Sequence, residues 1–145
     1  MSRVFFIVAV ALGFWRMAWA DEANHVSMIQ LIATPDKFHQ KQILVGGYLR
    51  IEFEGNILYF SESAMRARQN KEGIWLGYEK EIKSDEDLKN YRRYFEQLKK
   101  YSGQYVQLEG TYDMSDTGHF GCCSGAIVRV SRVIPRKGTP LKLEK

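Results

Sequence analysis

The sequence predicts a mainly β domain with small helices, arranged as a five-stranded barrel. Five segments carry the alternating or short apolar patterns of strands, and turn residues separate them. One long amphipathic helix stands between the third and the fourth of these segments. The predicted order is therefore β-β-β-α-β-β, with a short helix before it. An α+β domain with an open antiparallel sheet and one packed helix is the alternative.

The first predicted strand is the longest and contains a glycine pair. It covers residues 42–53, and Gly46-Gly47 divides it. A glycine pair inside a strand usually marks a bulge or a bend, which would let this strand pair with both halves of a barrel. The residues expected to face the core alternate on either side of the glycines: Ile43, Val45, Leu49, Ile51 and Phe53.

Capping patterns place the two predicted helices. Ser27 and Gln30 have the spacing of a capping box at the start of the short helix, and Thr34-Pro35 ends it. Ser84 begins the long helix, which reaches residue 101. Its apolar stripe is expected to close one end of the barrel and consists of Leu88, Tyr91, Phe95 and Leu98. The other four strands are predicted at 57–60, 74–78, 105–112 and 126–134.

This order of elements is that of an OB-fold barrel, and three segments support a family resemblance. Residues 31–49, with Pro35 after a short helix and an apolar strand reaching Gly46-Gly47, resemble the opening of small exported bacterial OB-fold proteins of uncharacterised function. Residues 52–56 and 118–125 resemble later segments of the same group. Gln40 stands where that group has a turn glycine, and Cys122-Cys123 replace apolar residues. The resemblance implies an OB-like fold and export, and it carries no activity.

The first twenty residues have the pattern of a secretory signal peptide. Met1-Ser2-Arg3 is a positive start, residues 4–15 carry no charge, and Ala18-Trp19-Ala20 has small residues where a signal peptidase cuts. An uncleaved membrane anchor is the alternative, although the apolar run is shorter than the roughly 20 residues of a spanning helix. We expect a signal peptide at 1–20, one OB-like domain at 21–135 and a flexible basic tail at 136–145. The expected location is periplasmic or secreted, without a transmembrane segment after cleavage.

The charge of the chain disfavours binding to nucleic acid. The sequence holds 21 Lys and Arg against 17 Asp and Glu, a formal net charge of +4. Cleavage would remove Arg3 and Arg16 and lower that charge to about +2. Domains that hold a phosphate backbone usually have a strong basic excess. Several basic side chains on the long helix and in the tail, among them Arg92, Arg93, Arg136 and Lys137, indicate either a weak attraction for anionic lipids or glycans or an ordinary solvated surface.

Two adjacent cysteines are the only ones in the chain. Cys122-Cys123 suggests a redox pair or a soft-metal site. The alternative places both at the start of the last strand, where their side chains point to opposite faces and one is buried. His119 lies three residues from Cys122, but nothing in the spacing makes them a catalytic pair. The sequence shows no set of zinc ligands, and we expect no metal and no cofactor.

The candidate ligand-binding residues lie on the face opposite the core alternation. Tyr48 and Arg50, together with Glu52, are expected on the first strand, with Tyr59 on the second and Trp75 on the third. OB-folds bind ligands on this face, and aromatic rings there stack on bases, sugars or peptide side chains. The alternative is that Tyr59 and Trp75 only cover the barrel beneath residues 62–72.

These observations predict an exported, non-enzymatic binding module with no catalytic residues. Its partner would be an envelope protein, a peptide or a glycan. The sequence contains no nucleophile–base motif, no metal-ligand set and no phosphate-binding loop. Two alternatives from other classes remain: a nucleic-acid-binding OB domain, and a thiol-dependent redox protein using Cys122 and Cys123.

Overall fold

Three α-helices and seven strands organise the part of the chain that the computed structural model describes, residues 23–53 and 55–143. The strands are β1 (Asn24–Val26), β2 (Gln42–Arg50), β3 (Ile57–Tyr59), β4 (Gly73–Leu76), β5 (Tyr105–Asp113), β6 (Ala126–Pro135) and β7 (Leu141–Lys142). The α-helices are α1 (Met28–Ala33), α2 (Glu62–Ala67) and α3 (Asp85–Lys99). The predicted signal peptide at 1–20 lies outside the described residues.

Five of these strands close into a mixed barrel. Their order around it is β2-β3-β4-β6-β5, and the pairing of β5 with β2 completes the circle. The pairing of β4 with β6 is parallel, whereas the other four pairings of the barrel are antiparallel. Helix α1 precedes β2, and α3 connects β4 to β5. The predicted fold class, a five-stranded barrel in the order β-β-β-α-β-β after a short helix, is confirmed.

Two short strands extend the sheet beyond the barrel. Strand β1 pairs in parallel with β2, and β7 pairs in antiparallel fashion with β6. Leu143 directly follows β7 and is buried in the main core. Within the tail predicted at 136–145, residues 141–143 are therefore paired or buried, and residues 144–145 lie outside the described residues.

The core of the barrel follows the alternation predicted for β2. Ile43, Val45, Leu49 and Ile51 are all buried in the main core cluster. Phe53 is not: its side chain is 94% exposed. The prediction was wrong at Phe53 because β2 ends at Arg50. Phe53 lies in the turn after the strand, where strand alternation no longer applies.

The glycine pair of β2 lets neighbouring side chains approach the strand closely, and it does not shift the register of the strand. The ladder between β2 and β5 runs through Gly46 and Gly47 without interruption. A Cβ on Gly46 would lie 2.2 Å from the hydroxyl oxygen of Tyr105, so the tyrosine ring occupies the space of the missing side chain. The register shifts lie instead between Glu109 and Gly110 and farther along β5.

Helix α3 begins as predicted and packs through a different stripe. The Ser84 hydroxyl accepts a hydrogen bond from the Asp87 N–H at 3.1 Å, which caps the helix. Leu98 is fully buried, and Tyr94 and Phe95 pack against the core beside it. The predicted stripe is corrected at two positions, because only the C-terminal half of α3 reaches the barrel. Leu88 and Tyr91 are half-buried outside the main core.

Candidate functional site

The four predicted ligand-binding residues share the outer face of strands β2, β3 and β4. Tyr48 lies directly opposite Tyr59, and Arg50 lies opposite Ile57. Ile57 in turn lies opposite Trp75. Directly opposite residues in an antiparallel ladder point to the same side of the sheet. The structure therefore brings these residues onto one face, as the strand alternation predicted.

Most of that face is covered by the chain itself. Ala64 and Met65 of α2 and the side chain of Cys123 form a second buried cluster with Ile57 and Tyr59. Tyr59 is only 2% exposed, and its hydroxyl donates a hydrogen bond to Asn70 Oδ1 at 2.7 Å. Burial raises the pKa of this phenol, although Arg50 acts in the opposite direction. In this structure Tyr59 packs beneath the 62–72 segment, which is the alternative placement described above.

The loop before β6 covers Trp75. A Cβ on Gly118 would lie 2.6–2.8 Å from three atoms of the indole ring, so the backbone at Gly118 rests on the ring. Trp75 also packs at the border of the second cluster, together with Cys122. The indole is half-buried, and its neighbours belong to the same chain.

The guanidinium of Arg50 is engaged by neighbouring groups. Its Nε donates to Glu52 Oε1 at 2.6 Å, and one terminal nitrogen donates to the backbone carbonyl of Met65 at 3.1 Å. Glu52 also lies 3.4 Å from a terminal nitrogen of Arg68. Arg50 therefore ties α2 to the end of β2, and its hydrogen-bonding capacity is largely used within the chain.

Tyr48 borders the second cluster on one side and an open groove on the other. Its ring packs edge-on against the ring of Tyr105, with centroids 5.4 Å apart. Two adjoining hollows of about 420 and 540 Å³ share these rings. We call them the tyrosine groove, which is lined by Tyr48, Gln104, Tyr105, Gln107, Ile134, Pro135, Arg136 and Lys137.

Sequence analysis missed Tyr105 as a member of this site. The register pairs Tyr105 with Tyr48, so the two rings meet only because β5 closes the barrel against β2. Arg136 and Lys137 follow β6 directly and are exposed at the rim. A signal was present, because in a barrel of this order the fourth strand neighbours the first. The predicted site includes residues of strands one to three only.

A third hollow, of about 360 Å³, separates α3 from β6. Tyr94 forms part of its floor, and Glu79 and Arg129 lie at its edge. An ion pair joins Glu79 to Arg129 across this edge. The hydrogen bond from Arg129 lowers the pKa of the Glu79 carboxyl and raises the pKa of the guanidinium. Two charged groups at the edge of this hollow are thus paired with each other.

The cysteine pair lies in the loop before β6 and not in the strand. Cys123 is buried in the second cluster, and Cys122 is half-buried at its border. Their sulfur atoms are 3.1 Å apart. The expectation that they point to opposite faces of a strand is corrected, because β6 begins three residues after Cys123 and strand alternation does not govern the pair.

His119 and the acidic side chains do not assemble a site around the cysteines. The His119 ring packs edge-on against Phe120, with centroids 4.3 Å apart. Within residues 23–53 and 55–143, no group of three or more His, Cys, Asp or Glu side chains is placed to hold a metal ion. No helix in that part of the chain is both long and apolar enough to cross a membrane.

Comparison with known proteins gives no relative from which a role can be transferred. No family model, no curated protein and no solved structure matches this chain.

Proposed function

We propose that this protein is a non-enzymatic binding module that recognises a protein, peptide or glycan partner in the cell envelope. The tyrosine groove is the proposed site, and an acidic segment of the partner is its proposed ligand. One observation carries the proposal. The paired rings of Tyr48 and Tyr105 line an open groove whose rim holds two exposed cations, Arg136 and Lys137.

The chemistry of the groove suits an acidic ligand with a flat or apolar surface. Tyrosine rings give a large contact area at a low cost in side-chain entropy, and their hydroxyls form hydrogen bonds. The side chain of Tyr105 is 39% exposed and is held in place by Tyr48 and by the backbone at Gly46. Guanidinium and ammonium groups at the rim would attract carboxylates and orient them.

The covered outer face supports this choice of site over the one expected from the sequence. OB-fold barrels bind oligonucleotides and oligosaccharides on the face of their second and third strands. Here α2 and Cys123 pack on that face, and Tyr59 lies beneath them. A ligand stacking on Tyr59 would first have to displace α2, whereas the tyrosine groove is open. The covered face therefore counts against any ligand bound at that OB-fold position, nucleic acid or oligosaccharide, and leaves the tyrosine groove as the accessible site.

The envelope location in this proposal rests on the sequence. The predicted signal peptide at 1–20 and the resemblance to small exported bacterial OB-fold proteins both point to it. The closed five-stranded barrel agrees with that resemblance at the level of fold, and the fold by itself does not determine function.

Cross-linked pull-down from the envelope fraction of the native host tests the proposal. The full-length protein would carry a C-terminal tag, and bound proteins and glycans would be identified by mass spectrometry. Tyr105→Ala and Arg136→Glu are expected to lower the recovery of an authentic partner at least tenfold, because each removes a wall or a charge of the groove. The partner should also bind less well as salt increases.

The control is Arg92→Glu, which makes the same change of charge on the exposed side of α3. It should leave recovery unchanged. If Arg92→Glu weakens binding as much as Arg136→Glu, net charge and not the groove attracts the partner. Recovery of the same partner by Tyr105→Ala and Arg136→Glu at the wild-type level would overturn the proposed site.

A further inference from the structure

We propose that Cys122 and Cys123 form a reversible redox site that closes to an intramolecular disulfide. The carrying observation is the 3.1 Å distance between their sulfur atoms. Carbon atoms in optimal contact rest about 3.5–4.0 Å apart, and sulfur is larger than carbon. The two thiols are therefore already closer than ordinary packing brings such atoms.

The loop backbone fixes this approach. The N–H of Cys123 donates to the Thr117 carbonyl at 3.0 Å, and the N–H of Ser124 donates to the Gly73 carbonyl at 3.0 Å. Gly121 and Gly125, on either side of the pair, both have positive φ, which glycine adopts without strain. These constraints hold both thiols on the same side of the loop, against the second cluster.

The two thiols differ in access, so they have different roles in oxidation. Cys123 packs among Ile57, Tyr59 and Met65, and burial raises its pKa, as does its hydrogen bond with Cys122. Cys122 is half-buried at the border of this cluster. An external reagent would therefore react first with Cys122, and Cys123 would then react with the modified Cys122.

The proposed oxidant is a disulfide, either a low-molecular-weight one or that of a thiol–disulfide oxidoreductase. The Cys122 thiolate attacks one sulfur of the oxidant, which forms a mixed disulfide and releases one thiol. Cys123 then loses its proton to solvent, and its sulfur attacks the Cys122 sulfur. The disulfide between Cys122 and Cys123 forms, and the second thiol of the oxidant leaves. Two cysteine thiols are oxidised, and one disulfide of the oxidant is reduced to two thiols.

The adjacency of the cysteines makes the product easy to reduce. Adjacent Cα atoms are about 3.8 Å apart, whereas disulfides prefer about 4.4–6.8 Å. Strained disulfides have higher reduction potentials and belong to the labile class. The bond is therefore suited to a reversible change and not to a structural cross-link. Its closure would alter the loop whose backbone rests on Trp75.

A large excess of oxidised glutathione provides a direct test on the purified, fully reduced protein, because a strained disulfide forms only when the oxidant greatly exceeds its thiol product. Trypsin releases both cysteines on one peptide, residues 101–129, because that stretch has no Lys or Arg before its end. We expect this peptide to lose two hydrogens, to carry no glutathione and to contain no free thiol. Dithiothreitol should restore both thiols. The product should contain no disulfide between two chains at any protein concentration.

Two variants separate the roles of the thiols. Cys123→Ala should accumulate a stable glutathione adduct on Cys122, because the second attack is lost. Cys122→Ala should react at least tenfold more slowly, because its remaining thiol is buried. A stable adduct on Cys122 in the wild-type protein, a disulfide between two chains, or no oxidation would each overturn the proposal. The wild-type reaction decides this even if a variant does not fold.

Discussion

Arg50 and Met65 are joined by a hydrogen bond from the guanidinium to a backbone carbonyl, at 3.1 Å. Arg50 lies at the end of β2, and Met65 lies in the middle of α2. The same guanidinium also pairs with Glu52. This arrangement holds a two-turn helix over the face that the sequence had suggested as the ligand site. A residue expected to contact a ligand instead fixes the element that covers the site.

Replacing Arg50 should loosen α2. Arg50→Ala leaves the Met65 carbonyl and the Glu52 carboxylate without this donor, so we expect the free energy of unfolding to fall by about 1–2 kcal/mol. The backbone amides of 62–67 should exchange with deuterium at least tenfold faster. Urea denaturation and hydrogen exchange followed by mass spectrometry measure the two effects.

The matched control for Arg50→Ala is Arg66→Ala on α2 itself. Arg66 pairs with Glu62 on the exposed side of the helix, where solvent screens the interaction. Its removal should leave the denaturation midpoint unchanged within error. Equal effects of the two variants would show that the loss at Arg50 is one of net charge and that the Met65 contact is unimportant.

The contact between Gly118 and Trp75 gives a second prediction. Gly118→Ala combines a left-handed backbone, with φ of 72°, and a Cβ that would overlap the indole. Strain and overpacking together should lower the free energy of unfolding by about 2–4 kcal/mol.

Gly103→Ala is the matched control, because Gly103 has φ of 83° and open space around its Cβ position. Gly103→Ala should lower the free energy of unfolding by about 1 kcal/mol. Thermal or urea unfolding that ranks the two variants the other way contradicts the packing of the loop on Trp75.

Asp113 gives a pH prediction. The Ser115 hydroxyl donates to this carboxylate at 2.6 Å, and that hydrogen bond, followed by others from the backbone and the charge of His39, lowers the pKa of Asp113. The folded state therefore gains stability from the ionised carboxylate above its unfolded pKa, near 4. That gain is lost as the pH falls through the lower folded value.

Asp113→Asn tests this dependence because the amide oxygen still accepts from Ser115. The variant should be less stable than the wild type at pH 7, by up to about 1 kcal/mol. The difference should shrink between about pH 5 and pH 3. Urea midpoints of both proteins across this range measure it. A difference that stays constant with pH would mean that the carboxylate charge contributes nothing.

The barrel was predictable because its signals are local. Ile43, Val45 and Leu49 alternate along one strand, and Ser84 caps the long helix α3. These patterns determine which residues face the core and where an element begins. The order of elements then limited the possible topologies to a few. Local patterns could not show that β7 returns Leu143 to the core, because two paired residues are too short a signal.

The site was harder to predict because it depends on contacts between distant segments. Alternation placed Tyr48 and Tyr59 on one face correctly, but no pattern in residues 62–67 shows which surface α2 will cover. Tyr105 joins Tyr48 only through the β2–β5 pairing. The distance between Cys122 and Cys123 depends on the backbone of a glycine-rich loop. Each of these contacts depends on how the chain folds, and the spacing of residues along the sequence does not predict it.

Tyr94 provides the last prediction, at the junction of α3 and the barrel. Its hydroxyl oxygen accepts a hydrogen bond from the Val130 N–H at 3.3 Å, and burial raises its pKa strongly. Tyr94→Phe leaves that N–H without this acceptor and should cost about 1–2 kcal/mol at pH 7. A raised folded pKa favours the fold below the unfolded value, near 10, and the gain is lost as the pH rises above it. The wild type should therefore lose stability between about pH 10 and pH 11 more steeply than the variant.

Tyr91→Phe is the control for Tyr94→Phe. The ring of Tyr91 packs edge-on against Tyr78, and phenylalanine keeps that ring, so the free energy of unfolding should change by less than about 0.5 kcal/mol. Urea denaturation from pH 7 to pH 11 compares the three proteins. Parallel curves for wild type and Tyr94→Phe would show that the Tyr94 hydroxyl is not buried as the structure places it.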